Sequence, residues 1–215
     1  MTMRSRLDSQ LSQLNVELTE LGALCETAIA DSAEALVRGD AELAGRVPPI
    51  ADEIDRRERG IETLCMRMLL QQQPVAGDLR RISAALRMIN DMERIGDQAK
   101  DIAEIIGFLG GRISENSETL RGMALCTIRM VTESVDAYVR RDIALARKVI
   151  SDDDEVDERF LRVKRELISD IAKKPDDGEF ALDILMIAKY LERIGDHAVN
   201  IAQWVIFSFP EQAAR

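Results

Sequence analysis

The chain has 215 residues, 46% hydrophobic, 32% charged and 4% aromatic, and its 29 basic and 39 acidic side chains leave a net charge of −10. That length supports a sizeable core, and the acidic balance argues against binding a nucleic-acid backbone, which needs a basic surface; divalent cations and basic protein surfaces are better partners. Five prolines and 12 glycines suit long helices rather than short strands joined by turns, so an all-α fold is expected.

In chain order, Leu7, Leu11, Leu14, Leu18, Leu21, Cys25, Ala28 and Ala35 keep the three-four spacing of one apolar helical stripe, which predicts a first helix from Leu7 to the RGD at Arg38–Asp40. A short helical turn, DAELAGRV, leads to Pro48-Pro49, and Ile50, Ile54, Ile61, Cys65 and Met68 mark a second helix closed by QQQPVAGD. A third helix is expected from about Asp78 to Phe108, led by Leu79, Ile82, Leu86 and Ile89, and LGGRISENS then reads as a linker. The order restarts there: a helix over Ser117–Arg141, the turn DIALARKV, a helix over Asp153–Lys173, the segment KKPDDGE and a helix over Glu179–Phe209.

The restart is a true repeat. ERIGD occurs at Glu93–Asp97 and again at Glu192–Asp196, 99 residues apart, whereas Asp40, Leu43, Ala44, Val47, Asp52, Glu53 and Asp55 match Asp142, Leu145, Ala146, Val149, Asp154, Glu155 and Asp157 at a separation of 102. The second copy therefore has a connector three residues shorter (102 minus 99). Long amphipathic helices with short connections predict two tandem three-helix bundles, residues 1–110 and 111–215.

At 100° per residue, Ile82, Leu86, Ile89, Glu93 and Asp97 fall within about 80° of one another, so the apolar seam runs into two acids. A second stripe, Met92, Ile95, Ala99, Ile102 and Ile106, carries the burial onward, leaving Glu93, Asp97 and Asp101 at the border of the core; Glu192, Asp196 and Asn200 do the same in the second copy. Half-desolvated carboxylates one turn apart repel, and something positive is expected beside them. Arg94 and Arg193 are one source, giving a solvated face with internal ion pairs; a divalent or trivalent cation is the other, since clustered oxygens suit hard cations. Asp52, Asp55, Asp154 and Asp157 add acids from the preceding helices, and Asp31, Glu34, Glu133 and Asp136 stand at matching positions of the first and fourth. Gly96 and Gly195 cost about 1 kcal/mol each in mid-helix and mark a close helix crossing or a ligand.

Other signals are weaker. His197 is the only histidine, and Gln98 stands at its place in the first copy, so the paired Glu-x-x-His of ferritin-like di-metal oxidases is excluded. No Gly-rich phosphate loop, nucleophile elbow or Cys-His pair appears. Cys25, Cys65 and Cys126 form no CxxC and read as buried thiols in a reducing compartment. No run approaches ~18 apolar residues, and MTMRSRLDSQL lacks the apolar stretch of a secretory signal; a cytoplasmic protein is expected.

The tandem ERIGD helices, the Glu-x-x-x-Asp pairs Glu93/Asp97 and Glu192/Asp196, and the D-x-x-L-A-x-x-V…D-E-[IV]-D stretch resemble the PhoU family over almost the whole chain. The resemblance implies two spectrin-repeat-like bundles that hold metal ions, Mg, Mn, Fe or Zn, on their surface. It implies a cytoplasmic homodimer without catalytic activity, a negative regulator of the phosphate-starvation response that links the ATPase subunit of a phosphate ABC transporter to a sensor histidine kinase and meets the membrane only through those partners. Carried over residue by residue, the metal acids are Asp55, Glu93, Asp97 and Asp101 in the first repeat and Asp157, Glu192, Asp196 and Asn200 in the second, with Arg94 and Arg193 as contacts for a partner. Asn200 in place of Asp101, and Phe160 and Lys164 in place of Glu58 and Glu62, make the second site less anionic. A metal-dependent hydrolase handling phosphate through the acid clusters is the alternative reading.

Overall fold

The computed structural model describes residues 3–71 and 74–210. Gln72 and Gln73 of the expected QQQPVAGD closure lie outside the described residues, as do 1–2 and 211–215 of the expected repeats. The helices are α1 (Met3–Arg38), α2 (Ala41–Ala44), α3 (Val47–Gln71), α4 (Ala76–Phe108), α5 (Ser117–Arg140), α6 (Ile143–Lys173) and α7 (Gly178–Ser208), with a 3-10 turn at Pro175–Asp177. No strand occurs among the described residues, and no helix of theirs is long and apolar enough to cross a membrane.

The apolar stripes do what their spacing predicts. Every residue of the α1 stripe from Leu7 to Ala35 is buried, as are Met92, Ile95, Ala99, Ile102 and Ile106 on α4. Leu79 departs from its expected place: it is 45% exposed, whereas its neighbour Asp78 is buried. α1, α3 and α4 pack as one three-helix unit and α5, α6 and α7 as another. α4 also lies along α7 and α1 along α5, so the buried side chains form one continuous core. Two hydroxyls cross between the units: Tyr138 donates to the Arg81 carbonyl at 2.8 Å, and Thr132 to the Glu26 carboxylate at 2.7 Å. The three cysteines are free and buried.

The copies differ at one joint, which corrects an expectation. DAELAGRV forms the separate short helix α2, capped by Asp40, whose carboxylate accepts from the Glu42 and Leu43 amides, both at 3.0 Å. The chain turns at Gly45, and α3 starts at Val47 with Pro48 and Pro49 in its first turn, where their missing N–H groups cost nothing. In the second copy Asp142 caps in the same way, onto the Leu145 amide at 3.0 Å. Arg147, Ile150 and Ser151 stand where Gly45, Pro48 and Pro49 stand (each plus 102), so every amide can continue the ladder and DIALARKV is the first part of α6 rather than a separate turn.

Two details hold the linker between α4 and α5. Gly39 at the end of α1 has φ 65°, and a Cβ placed on it would lie 2.6 Å from the Gly111 carbonyl oxygen, so the two backbones touch. Arg112 reaches the other unit: its Nη2 is 2.8 Å from Asp177 Oδ1 and its guanidinium lies 3.9 Å over the Phe180 ring.

Candidate metal centre

The site begins with the mid-helix glycines. A Cβ on Gly96 would sit 3.0 Å from Ile54 Cδ1, and one on Gly195 would sit 2.9 Å from Asp153 Oδ1 and 3.6 Å from Val156 Cγ1. The glycines thus let α3 press onto α4 and α6 onto α7, which is the helix-crossing reading of these positions. Because Ile54 seats against Gly96, the next residue, Asp55, is carried to the acidic stripe of α4. One carboxylate oxygen from each of Asp55, Glu93 and Asp97 lies within 4.8 Å of the others, each side chain half-buried. Glu58 and Asn90 line the same groove, with Arg59 and Arg94 at its edge.

The electrostatics of this groove are unfavourable to its own acids. Burial and then the neighbouring Asp97 carboxylate push Glu93 above its ordinary value. Burial, Glu62 and Glu93 do the same to Glu58. Arg94 answers part of this, with Nε 3.4 Å from Glu93 Oε2 and Nη1 3.5 Å from Asp97 Oδ2. Three hard oxygens from two helices are the donor set that a divalent or trivalent cation takes, and such an ion would neutralise the cluster and fasten α3 to α4.

The second stripe is built differently. Lys189 is ion-paired with Glu192 and stands 5.5 Å from the centre of the Phe160 ring. Asp153 joins from α6; burial, then Asp157, Asp196, Asp154 and Glu192, push its carboxyl up to about 6. Burial and then Glu192 raise Asp196 as well. Among the described residues Asp157, Glu192 and Asp196 do not converge as Asp55, Glu93 and Asp97 do.

Asp101 and Asn200, expected at the ends of the two acid stripes, are engaged across the α4/α7 seam. The Tyr190 hydroxyl faces Asp101 and favours its charged form, while burial first and then Glu104 and Asp97 raise that carboxyl. Asn200 Nδ2 donates to Asp91 Oδ1 at 3.2 Å, and His197 Nδ1 lies 2.9 Å from the same oxygen. Arg193 lies beside the Tyr190 ring, 6.0 Å from its centre. Glu34, Glu133 and Asp136 pair with Arg38, Lys148 and Arg140 instead of reaching the clusters, and Asp52 and Asp154 are exposed.

Sequence reading missed Asp153, Lys189, Asp91 and Tyr190. The 102 offset hides Asp153 behind Ala51, and the 99 offset pairs Lys189 with Asn90 and Tyr190 with Asp91, so none repeats in kind. Comparing equivalent positions of the two repeats for unlike residues would have flagged all four.

A family model described as "PhoU domain" matches residues 18–106 and 120–205. The chain is 35% identical over 208 residues to a phosphate-specific transport system accessory protein PhoU homolog of Pseudomonas aeruginosa, covering 94% of this chain and 84% of that one. It is 34% identical over 206 residues to the homolog of the same name from Clostridium acetobutylicum, covering 95% and 94%. The crystal structure of PhoU from Pseudomonas aeruginosa superposes with a TM-score of 0.90 at 34% identity, over 95% of this chain and 99% of the other. That of the phosphate transport system regulatory protein PhoU from Streptococcus pneumoniae, 24% identical, shares the fold with a TM-score of 0.85 over 94% and 96%.

Proposed function

Because this chain belongs to the PhoU family, we propose that it is an accessory regulator of a phosphate-specific transport system. In this reading it represses the phosphate-starvation response when phosphate is plentiful, linking the ATPase subunit of the phosphate ABC transporter to a sensor histidine kinase on the cytoplasmic side of the membrane. The observation that carries the reading is the match to accessory proteins of that system along both repeats, at about a third identity.

The Asp55, Glu93 and Asp97 cluster is the cation site of this regulator, taking Mg, Mn, Fe or Zn; the ion supplies charge neutralisation and a tie between α3 and α4. The protein acts by binding and not by turnover. The one histidine is held by Asp91 between the helices. The chain works as a homodimer, with Arg94 and Arg193 beside the acids as contacts for its protein partners.

The test is genetic. A host lacking the gene for this chain should express its phosphate-starvation genes in phosphate-rich medium, and the chain supplied in trans should restore repression. Unchanged expression in the deletion strain would overturn the regulatory reading, and turnover of a phosphoester panel by the metal-loaded protein would put the hydrolase in its place.

A further inference from the structure

We propose that in the second repeat the ammonium of Lys189 takes the place that a metal ion has in the first, so that this chain holds metal through its first repeat only. This rests on the reading of Asp55, Glu93 and Asp97 as a metal site.

The two clusters can be compared position by position. Asp55, Glu58, Asn90, Glu93 and Asp97 correspond to Asp157, Phe160, Lys189, Glu192 and Asp196, by 102 for the first two and 99 for the rest. Four acids around a neutral amide, formal charge −4, become three acids around an ammonium, −3 plus 1, or −2. The two exchanges act together. Lys189 is ion-paired with Glu192, and Phe160, in the place of a carboxylate, offers its ring 5.5 Å from the same nitrogen.

A metal entering here would have to displace a cation tethered one helical turn from its ligand and break both contacts. Asp153, which replaces Ala51, returns one acid to the region, but it sits at the helix crossing, with Oδ1 2.9 Å from where a Gly195 Cβ would lie. It therefore does not restore the three-oxygen convergence of the first repeat. A tethered ammonium is present whatever the metal supply, so the second repeat keeps one charge state while the first changes with metal.

The test uses the full-length chain, stripped with a chelator and then dialysed against Mn2+, with bound metal read by elemental analysis and affinity by titration calorimetry. Glu93→Ala/Asp97→Ala should reduce bound Mn2+ to background. Lys189→Asn/Phe160→Glu, which installs the first repeat's residues, should add Mn2+ beyond the wild-type content with at least tenfold tighter binding at the second repeat. Lys189→Gln alone should move in the same direction by less, and helical circular dichroism confirms folding of each variant. Tight Mn2+ retained by Glu93→Ala/Asp97→Ala and lost on further Glu192→Ala/Asp196→Ala overturns the proposal, as does equal Mn2+ in wild type and Lys189→Asn/Phe160→Glu. If wild type binds nothing and Lys189→Asn/Phe160→Glu gains metal, the role of Lys189 stands and the first-repeat site falls.

Discussion

His197 Nδ1 lies 2.9 Å from Asp91 Oδ1, joining the motif helix of one repeat to that of the other. Its mirror position is occupied by different chemistry. Adding 99 to Asp91, Gln98 and Asp101 gives Tyr190, His197 and Asn200, so the Asp91–Asn200 pair on one side of the seam corresponds to the Asp101–Tyr190 pair on the other. The α4/α7 seam thus carries polar pairs at two symmetry-related points.

Asp91→Ala should cost about 1–3 kcal/mol in denaturant unfolding, because it leaves His197 and Asn200 without their acceptor between the helices. His197→Gln, which puts the first copy's residue at that place, should cost less than Asp91→Ala. Equal losses would mean that the shared Asp91 acceptor is not what matters.

Arg141 is the one non-glycine residue with positive φ among the described residues, at 60°, and it stands where the first copy has Gly39 at 65° (39 plus 102). Side chains in this left-handed region carry a penalty of about 1 kcal/mol that glycine escapes. Arg141→Gly should therefore raise stability by about 0.5 kcal/mol, the gain being trimmed by loss of the guanidinium that lies 5.7 Å over the Phe209 ring. A clear loss in chemical denaturation would make that stacking the dominant effect.

At Gly96 the opposite sign is expected. Ile54 is fully buried and cannot retreat from a new methyl group at 3.0 Å. Overpacking of about 1–3 kcal/mol exceeds the roughly 1 kcal/mol gained in helix propensity, so Gly96→Ala should destabilise by about 1 kcal/mol. It should also weaken Mn2+ binding by moving Asp55 away from Glu93, and Ile54→Val in the same chain should recover part of both losses.

The raised carboxyls set a pH dependence. Asp153 is pushed up from 3.8 to about 6, and Glu93, Asp101 and Asp196 move in the same direction, burial being the first cause in each. A carboxyl whose native pKa exceeds its unfolded value binds more protons when folded, so stability grows as pH falls through the native value and the gain is complete below the unfolded one. Metal-free protein should accordingly melt at a higher temperature at about pH 5 than at about pH 7, and Asp153→Asn should shrink that rise. A midpoint that drops over this range would mean that the raised carboxyls do not govern stability there, since Glu53 and Glu155, lowered by their arginine partners, lose their contribution only at more acidic pH.

Arg94 spans Glu93 and Asp97 at 3.4 and 3.5 Å and is about half exposed, as an internal pair of little energetic weight. Arg94→Ala/Arg193→Ala should leave the thermal midpoint nearly unchanged and yet release phosphate-starvation genes in phosphate-rich medium. Normal repression at normal protein abundance removes the arginines as partner contacts.

Much of this was readable from residues alone, and the exceptions share a cause. The α1 stripe, the repeat offsets and the place of Glu93 and Asp97 at the border of the core follow from periodicity, with Leu7 to Ala35 and Met92 to Ile106 buried as it requires, whereas Asp55 is singled out by the family resemblance. The failures lie where the two copies were assumed to be alike. DIALARKV resembles DAELAGRV in its apolar spacing, but whether the helix breaks depends on the amides that Pro48 and Pro49 lack and Ile150 and Ser151 keep. Likewise Asn200 shares a stripe with Glu192 and Asp196, but its amide turns to Asp91 on the neighbouring helix, a contact that one helix's periodicity cannot show.

The grip of the linker bears on how copies of this chain assemble. Each repeat presents a matching helix pair to the other, α1 and α4 against α5 and α7, and surfaces that pair within one chain can pair equally well between two, exchanging repeats. Such an exchange needs a hinge that can straighten. Here two adjacent linker residues are fastened to the two units, Gly111 by the contact of its carbonyl with Gly39 and Arg112 by Asp177 and Phe180. Opening the hinge would forfeit both attachments before any new pairing formed, so the fastening biases each chain toward closing on itself and leaves its outer faces for other molecules.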